Sequence, residues 1–188
     1  MISGVPIVAG LDLAANPKRC SGYASLNLNE MSIWKIKCLY KDSEIISEVW
    51  KDNVKLIAMD APISPQPIFR NVDRKAIKMG YRVLPPTLGA MRILVKRAWK
   101  LCNIFSTKGI KVIETHPKSA LKSSSMKSVE EILAKLNIKL DVDPNLLSIR
   151  DLRDAVISAI VAYCYYMKKH LMEIKNSDGT IYLISSLP

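Results

Sequence analysis

Glycine is scarce in this chain, with seven residues in 188. None of them forms a GxGxxG or P-loop spacing, which argues against a bound nucleotide cofactor. Histidine is scarcer still, with two residues, and the four cysteines (Cys20, Cys38, Cys102, Cys164) include no CxxC pair. A zinc site is thereby disfavoured and reduced thiols are expected. Aromatic residues make up 6%. Trp34, Trp50 and Trp99 read as packing residues, so no platform for stacking bases is visible. No apolar run reaches the roughly 18 residues that cross a bilayer. The N-terminus lacks a basic segment followed by a long apolar one, so no signal peptide is expected. A cytoplasmic protein with no membrane partner is the expectation.

Acids are the minority charge, 17 against 28 Lys and Arg, for a net charge of +11. Such an excess produces a positive field that favours polyanions, nucleic acid among them. Solubility charge accounts for the same number, because the basic residues are spread out rather than arrayed in one motif. Hydrophobic residues at 49% and charged ones at 24% describe a globular protein. A length of 188 residues fits one domain with its own core.

The first third reads as consecutive strands. Ile7–Ala14 is an apolar run of the kind buried on both faces of a sheet. Asn16-Pro-Lys-Arg19 is a turn. Tyr23–Leu28 and Ser32–Tyr40 alternate as strands do and flank a polar turn. Asp42–Trp50 predicts a helix and Lys55–Asp60 a fourth strand, parallel to the first because a helical crossover permits that pairing. Prolines 62, 65 and 67 then break the chain. Helices are expected over Asn71–Met79 and Leu88–Thr107, a stretch that carries Arg70, Arg74, Arg92 and Arg97 among many basic residues. Ile110–Thr115 is the fifth strand, and Pro117 suits the first turn of a helix. Lys118–Asn137 reads as helical with a break at Ser123–Ser125. Asp141–Asn145 is a loop, Ser148–His170 the last long helix, Asn176–Gly179 a turn and Ile181–Ser185 a small terminal strand.

Two of these strands carry an acid where apolar residues are the rule. Asp12 lies inside the first run and Asp60 ends the fourth. A buried carboxylate without a partner costs several kcal/mol, roughly. Backbone amides, an arginine or a turn would each account for one such Asp. If the two strands are neighbours and parallel, both acids open on the crevice at their C-terminal ends. There they repel each other and raise one pKa. A hard dication removes the conflict, because Mg²⁺ takes oxygen ligands and keeps several waters. Two such ions about 4 Å apart support phosphodiester cleavage.

Glu114 ends the fifth strand and reads either as a third acid on that rim or as a solvated strand end. His116, beside it, reads as a phosphate contact or proton carrier, or as a plain loop histidine. Asp151 and Asp154 are three apart and share a helix face. Ser148-x-x-Asp151 fits a capping box, which would explain Asp151 by helix initiation alone. Asp154 leads into Ala155–Met167, a stretch without charge in which Ala155, Ala159 and Ala162 permit close approach to a sheet. An acid at the mouth of a buried helix suits a metal ligand.

Six short motifs follow one another in the chain. They are Gly10-Leu-Asp12-Leu-Ala-Ala15, Met59-Asp60-Ala-Pro-Ile-Ser64, Asp73-Arg74 with Gly80, Leu84-Pro-Pro-Thr87 with Met91-Arg92, Ile113-Glu114-Thr-His-Pro117, and Asp151-x-x-Asp154-Ala155. Together they resemble the DUF429 family of predicted nucleases, over roughly residues 5–185. The resemblance implies a ribonuclease-H-like three-layer α/β fold. Its central mixed sheet would have five strands and helices on both faces, with a helical insert after the fourth strand at approximately residues 64–108. It implies catalytic roles for Asp12, Asp60, Glu114 and Asp154, and Mg²⁺ or Mn²⁺ held by Asp12, Asp60, Asp154 and Asp151. Arg70, Arg74, Arg92 and His116 would bind substrate. Two departures from the family pattern stand out: Thr115-His116 replaces an aliphatic and an aromatic residue, and Arg150 and Arg153 flank the helix acids, where they could pair with them. The leading expectation is a divalent-metal nuclease acting on DNA or RNA. A non-catalytic nucleic-acid-binding module and a phosphate-metabolite enzyme on the same scaffold are the alternatives.

Overall fold

The structure is a computed structural model that describes residues 6–188. The chain begins with β1 (Ile7–Asp12), β2 (Ser21–Asn27) and β3 (Ser32–Leu39), followed by α1 (Asp42–Lys51) and β4 (Val54–Met59). Next come α2 (Asn71–Lys78), α3 (Gly89–Ser106), β5 (Lys111–Thr115), α4 (Pro117–Ser123) and α5 (Val129–Lys135). It closes with β6 (Lys139–Leu140), α6 (Arg150–Met167), β7 (Leu171–Asn176) and β8 (Gly179–Ile184). Among the described residues, eight strands form one mixed sheet in the order β6-β3-β2-β1-β4-β5-β8-β7. β1 runs antiparallel to β2 and parallel to β4.

The sheet is wider than the five strands expected. Those five are its adjacent inner strands, and β6, β7 and β8 extend both edges. β6 has only two residues, too few to show a period. β7 occupies the residues just after the expected end of the last helix. That helix stops at Met167 because Lys168 takes a left-handed conformation with φ 53°, and the Lys169 amide donates to the Cys164 carbonyl at 3.1 Å. Glycine usually marks such a stop, and none stands there.

The helix starts differently as well. Its first flanking residue is Ile149, with no side-chain cap, and Ser148 Oγ donates to the Asn145 carbonyl at 2.7 Å. The capping-box account of Asp151 therefore fails. The break expected at Ser123–Ser125 within residues 118–137 is present and somewhat longer, Ser124–Ser128, where Ser125 has φ 65° and Ser128 caps α5 through the Glu131 amide. Cys20 and Cys38 form a disulfide, with Cα atoms 5.2 Å apart. This corrects the expectation of four reduced thiols: Cys38 lies in β3 opposite Gly22 of β2, and Cys20 immediately precedes β2. Among the described residues, no helix is long and apolar enough to cross a membrane.

Two cores flank the sheet, because successive strand side chains point to opposite faces. Val8, Ala24, Ala58 and Ile113 pack with Val156 and Ile160 of α6. Ala9, Leu11, Ile57 and Met59 pack with Ile45 of α1 and with Leu101 and Phe105 of α3. Burying each of these larger side chains contributes roughly 1.5–3 kcal/mol.

The α6 layer lies unusually close to the strands. A methyl group at Gly10 would overlap the Ala155 carbonyl and the Ala159 amide, and one at Gly22 would overlap the Asp151 carbonyl. Two of the scarce glycines thus let helix backbone rest on strand backbone. On the other face, Arg97 of α3 is buried and joins three segments. Its Nε donates to Asp42 Oδ1 at 2.7 Å, its Nη1 to the Ala14 carbonyl at 2.5 Å and its Nη2 to the Tyr40 carbonyl at 2.7 Å.

Candidate active site

Asp12 is the last residue of β1, and Asp60 directly follows β4. Leu11 is opposite Met59, and the Asp60 amide donates to the Leu11 carbonyl at 2.8 Å. The two aspartates therefore stand side by side at the C-terminal edge of two parallel strands. Gly10 and Asp12, two residues apart, share the face covered by α6. The helix passes over Gly10 at Ala155, which brings Asp154 to the same edge. Asp12, Asp60 and Asp154 line one cavity of about 450 Å³. Arg82, His116, Lys118 and Arg150 share its wall.

The carboxylates are strongly perturbed. Burial, followed by the charges of Asp154 and Asp151, raises Asp12 from 3.8 to about 7, against the pull of Arg150 and Lys118. Burial pushes Asp60 well above its ordinary value, and Asp12, Asp154 and Glu114 add to the shift. Asp154 is raised by burial, opposed by Arg153 and Arg150. Among the described residues, no donor reaches the Asp12 or Asp60 carboxylate within hydrogen-bond distance. Asp154 has loose partners, Arg150 Nε at 3.5 Å and Arg153 Nε at 3.9 Å.

The donor set suits a hard dication. Among the described residues, no three His, Cys, Asp or Glu side chains converge closely enough to hold an ion by themselves. Mg²⁺ does not need such a cage, since one or two carboxylates with water and substrate phosphate complete its shell. The unpartnered pair Asp12 and Asp60 meets that requirement, with Asp154 at the same cavity wall.

The remaining expected residues divide. Glu114 lies in β5 but not on the cavity wall. Its Oε2 accepts from Arg70 Nη1 at 2.7 Å and the Ile63 amide at 2.9 Å, and its Oε1 from Arg70 Nη2 at 2.5 Å. Arg70 also binds Asp73, at 2.7 and 3.1 Å. Arg70 is 2% exposed, so it cannot grip substrate as expected: both its carboxylate partners are internal. The triad instead pins the 60–70 loop that follows Asp60.

Arg74 is exposed over the Phe69 ring, 5.2 Å from its centroid, and off the cavity wall. Arg92 is exposed beside Met91, which lines the cavity. His116 does face the cavity; burial holds its pKa below the ordinary value, against the pull of Glu114. Asp151 lines an adjoining cavity with Asp12, apart from Asp60. Arg82 and Lys118 belong to no motif read from the chain, though Lys118 directly follows His116-Pro117 in the first turn of α4.

The chain matches no protein-family profile and no curated protein. Two solved structures align with it. T. thermophilus RuvC, in complex with Holliday junction substrate, is 13% identical over 86% of this chain and 96% of its own, with a TM-score of 0.49. The Fowlpox virus resolvase, in complex with Holliday junction DNA, is 12% identical over 86% of this chain and 97% of its own, with a TM-score of 0.44.

Proposed function

We propose that the protein is a divalent-metal-dependent nuclease of ribonuclease-H-like fold, as its resemblance to the DUF429 family implies. One observation carries the reading. Asp12 and Asp60 stand side by side in a cavity with raised pKa values and no donor in reach. The inner strand order and the three acids at one sheet edge support the fold assignment. The net charge of +11 and the basic residues on the cavity wall favour nucleic acid as substrate.

Asp12 and Asp60 would hold Mg²⁺ or Mn²⁺, with Asp154 beside them. The ion would supply charge neutralisation at the reacting phosphate. Lys118, Arg150 and Arg82, on the wall of the same cavity, orient the phosphodiester. The Arg70–Glu114 clamp fixes the loop after Asp60, so that Asp60 keeps its place beside Asp12. His116, neutral near pH 7, offers a hydrogen bond to a phosphate oxygen.

The test compares wild type with Asp60→Asn on labelled DNA and RNA in Mn²⁺, Mg²⁺ or EDTA. Cleavage by the wild type alone, abolished by EDTA, is the expected result. A loss of about 10²-fold or more matches the several kcal/mol a metal contributes. Equal cleavage by Asp60→Asn, or cleavage in EDTA, overturns the assignment. Tight binding by both proteins without cleavage would favour the binding module instead.

A further inference from the structure

The acid cavity is not a blind pocket. It shares Lys118 and Asp154 with a cavity of about 460 Å³ between α4, α5 and the start of α6. It shares Asp12, Met91, Leu94 and Arg150 with a cavity of about 840 Å³ on its other side, floored by the loop from β1 to β2. Three cavities thus adjoin, and the carboxylates belong to the one that borders both others, an arrangement we read as one trough.

Basic residues continue into both arms. Beyond Lys118 lie Lys127 and Arg153, against one added acid, Glu130. Beyond Arg150 lies Arg19, against one added acid, Asp151. Past Arg19 the trough opens onto a further depression that shares Ala15, Pro17 and Ile93 with it and carries Lys41, Lys96 and Lys100. Asp42 lies there too, but its carboxylate is already bound by Arg97 and Lys100. Charge spaced along a groove in this way suits a linear polyanion, whose phosphates recur at regular intervals.

We infer that a nucleic-acid strand runs through both arms of this trough, past Arg19 on one side and Lys127 on the other, so that the bond held at the acids is internal to the strand. The inference rests on the nuclease reading for its chemistry, though not for its path. A site for a strand terminus needs space on one side of the acids only, whereas two further cavities adjoin the one that holds them.

Two measurements test it. The first is binding in EDTA of fluorescent oligonucleotides of about 4 and about 16 nucleotides, the range a single-strand site spans. The wild type should bind the longer at least about tenfold more tightly, with a steep salt dependence. Arg19→Glu and Lys127→Glu should each weaken the longer oligonucleotide at least about threefold and leave the shorter unchanged. Equal affinity for both lengths, or an effect from only one variant, overturns the two-armed path.

The second is cleavage in Mn²⁺ of closed-circular and linear forms of whichever nucleic acid is cut. Opening of the circles supports the inference. Degradation of linear molecules from their ends, with circles intact, overturns it and leaves the nuclease standing. Two-armed binding without any cleavage does the reverse: the path holds and the nuclease reading falls.

Discussion

Glu114 and Asp60 sit on or just beyond neighbouring strands, yet their surroundings are opposite. Both oxygens of Glu114 rest on the Arg70 guanidinium, and Asp73 shares that cation. Asp60 has Asp12 beside it, and no donor in reach among the described residues. The first is an ion cluster closed within the fold, in which one guanidinium serves two carboxylates and each acid has a cation in hydrogen-bond contact. The second has no cation or donor in contact among the described residues, and the fold leaves its charge unpaired. A globular chain keeps such an unpaired group where something from solution supplies the missing charge.

Four predictions bear on that contrast, the largest effect first. Arg70→Met leaves Asp73 and Glu114 buried without a cation, which should cost about 3–5 kcal/mol. Urea denaturation reads this directly, and an unchanged midpoint would erase the distinction between the two groups. Asp60→Asn should behave oppositely. In EDTA it removes repulsion from Asp12 and Asp154, so the urea midpoint should hold or rise. Mn²⁺ at about a hundred times its dissociation constant should stabilise the wild type by about 2.7 kcal/mol. The variant should lose that gain, and a metal-induced shift that survives would move the ion elsewhere.

The third prediction concerns pH. Asp12 rises from 3.8 to about 7 on folding, so the native state holds its proton more tightly than the unfolded one. Its stabilising contribution is complete below about pH 4 and is lost as pH rises through about 7. Metal-free wild type should therefore lose stability across that window more steeply than Asp12→Asn, by thermal melts in EDTA. Parallel curves would remove Asp12 from the titrating set. Last, Arg74→Ala touches neither group, and its effect on stability should stay within about 0.5 kcal/mol. A larger loss would make the Phe69 stack part of the clamp.

The inner sheet and its acids could be read from the chain because each strand's apolar run is long enough to show, and because Asp12 and Asp60 interrupt that pattern. The balance of each acid could not be read. Glu114 and Asp60 look alike as strand-end acids, and the difference is an arginine 44 residues before Glu114. Residues this far apart meet only through the topology. The end of α6 was hidden for a local reason: Lys168 adopts a left-handed conformation without the glycine that normally signals it. The disulfide was within reach of the hairpin reading, since Cys20 borders the second strand and Cys38 lies in the third. Cysteine spacing alone, without strand pairing, does not show it. The scarcity of glycine and the small residues Ala155 and Ala159 are visible in the chain. The alignment of Gly10 and Gly22 with α6 across two layers needed three dimensions.

That glycine seam bears on how Asp154 keeps its aim. Side chains in a core exchange rotamers, and a helix resting on them inherits their drift. A helix seated main chain against main chain has no such cushion, so its height above the strands is fixed by atoms that do not rotate. Exchanging apolar residues elsewhere along α6 for others of similar size should then leave the placement of Asp154 beside Asp12 unchanged. The acid cavity is in this sense insulated from the composition of the core beneath it.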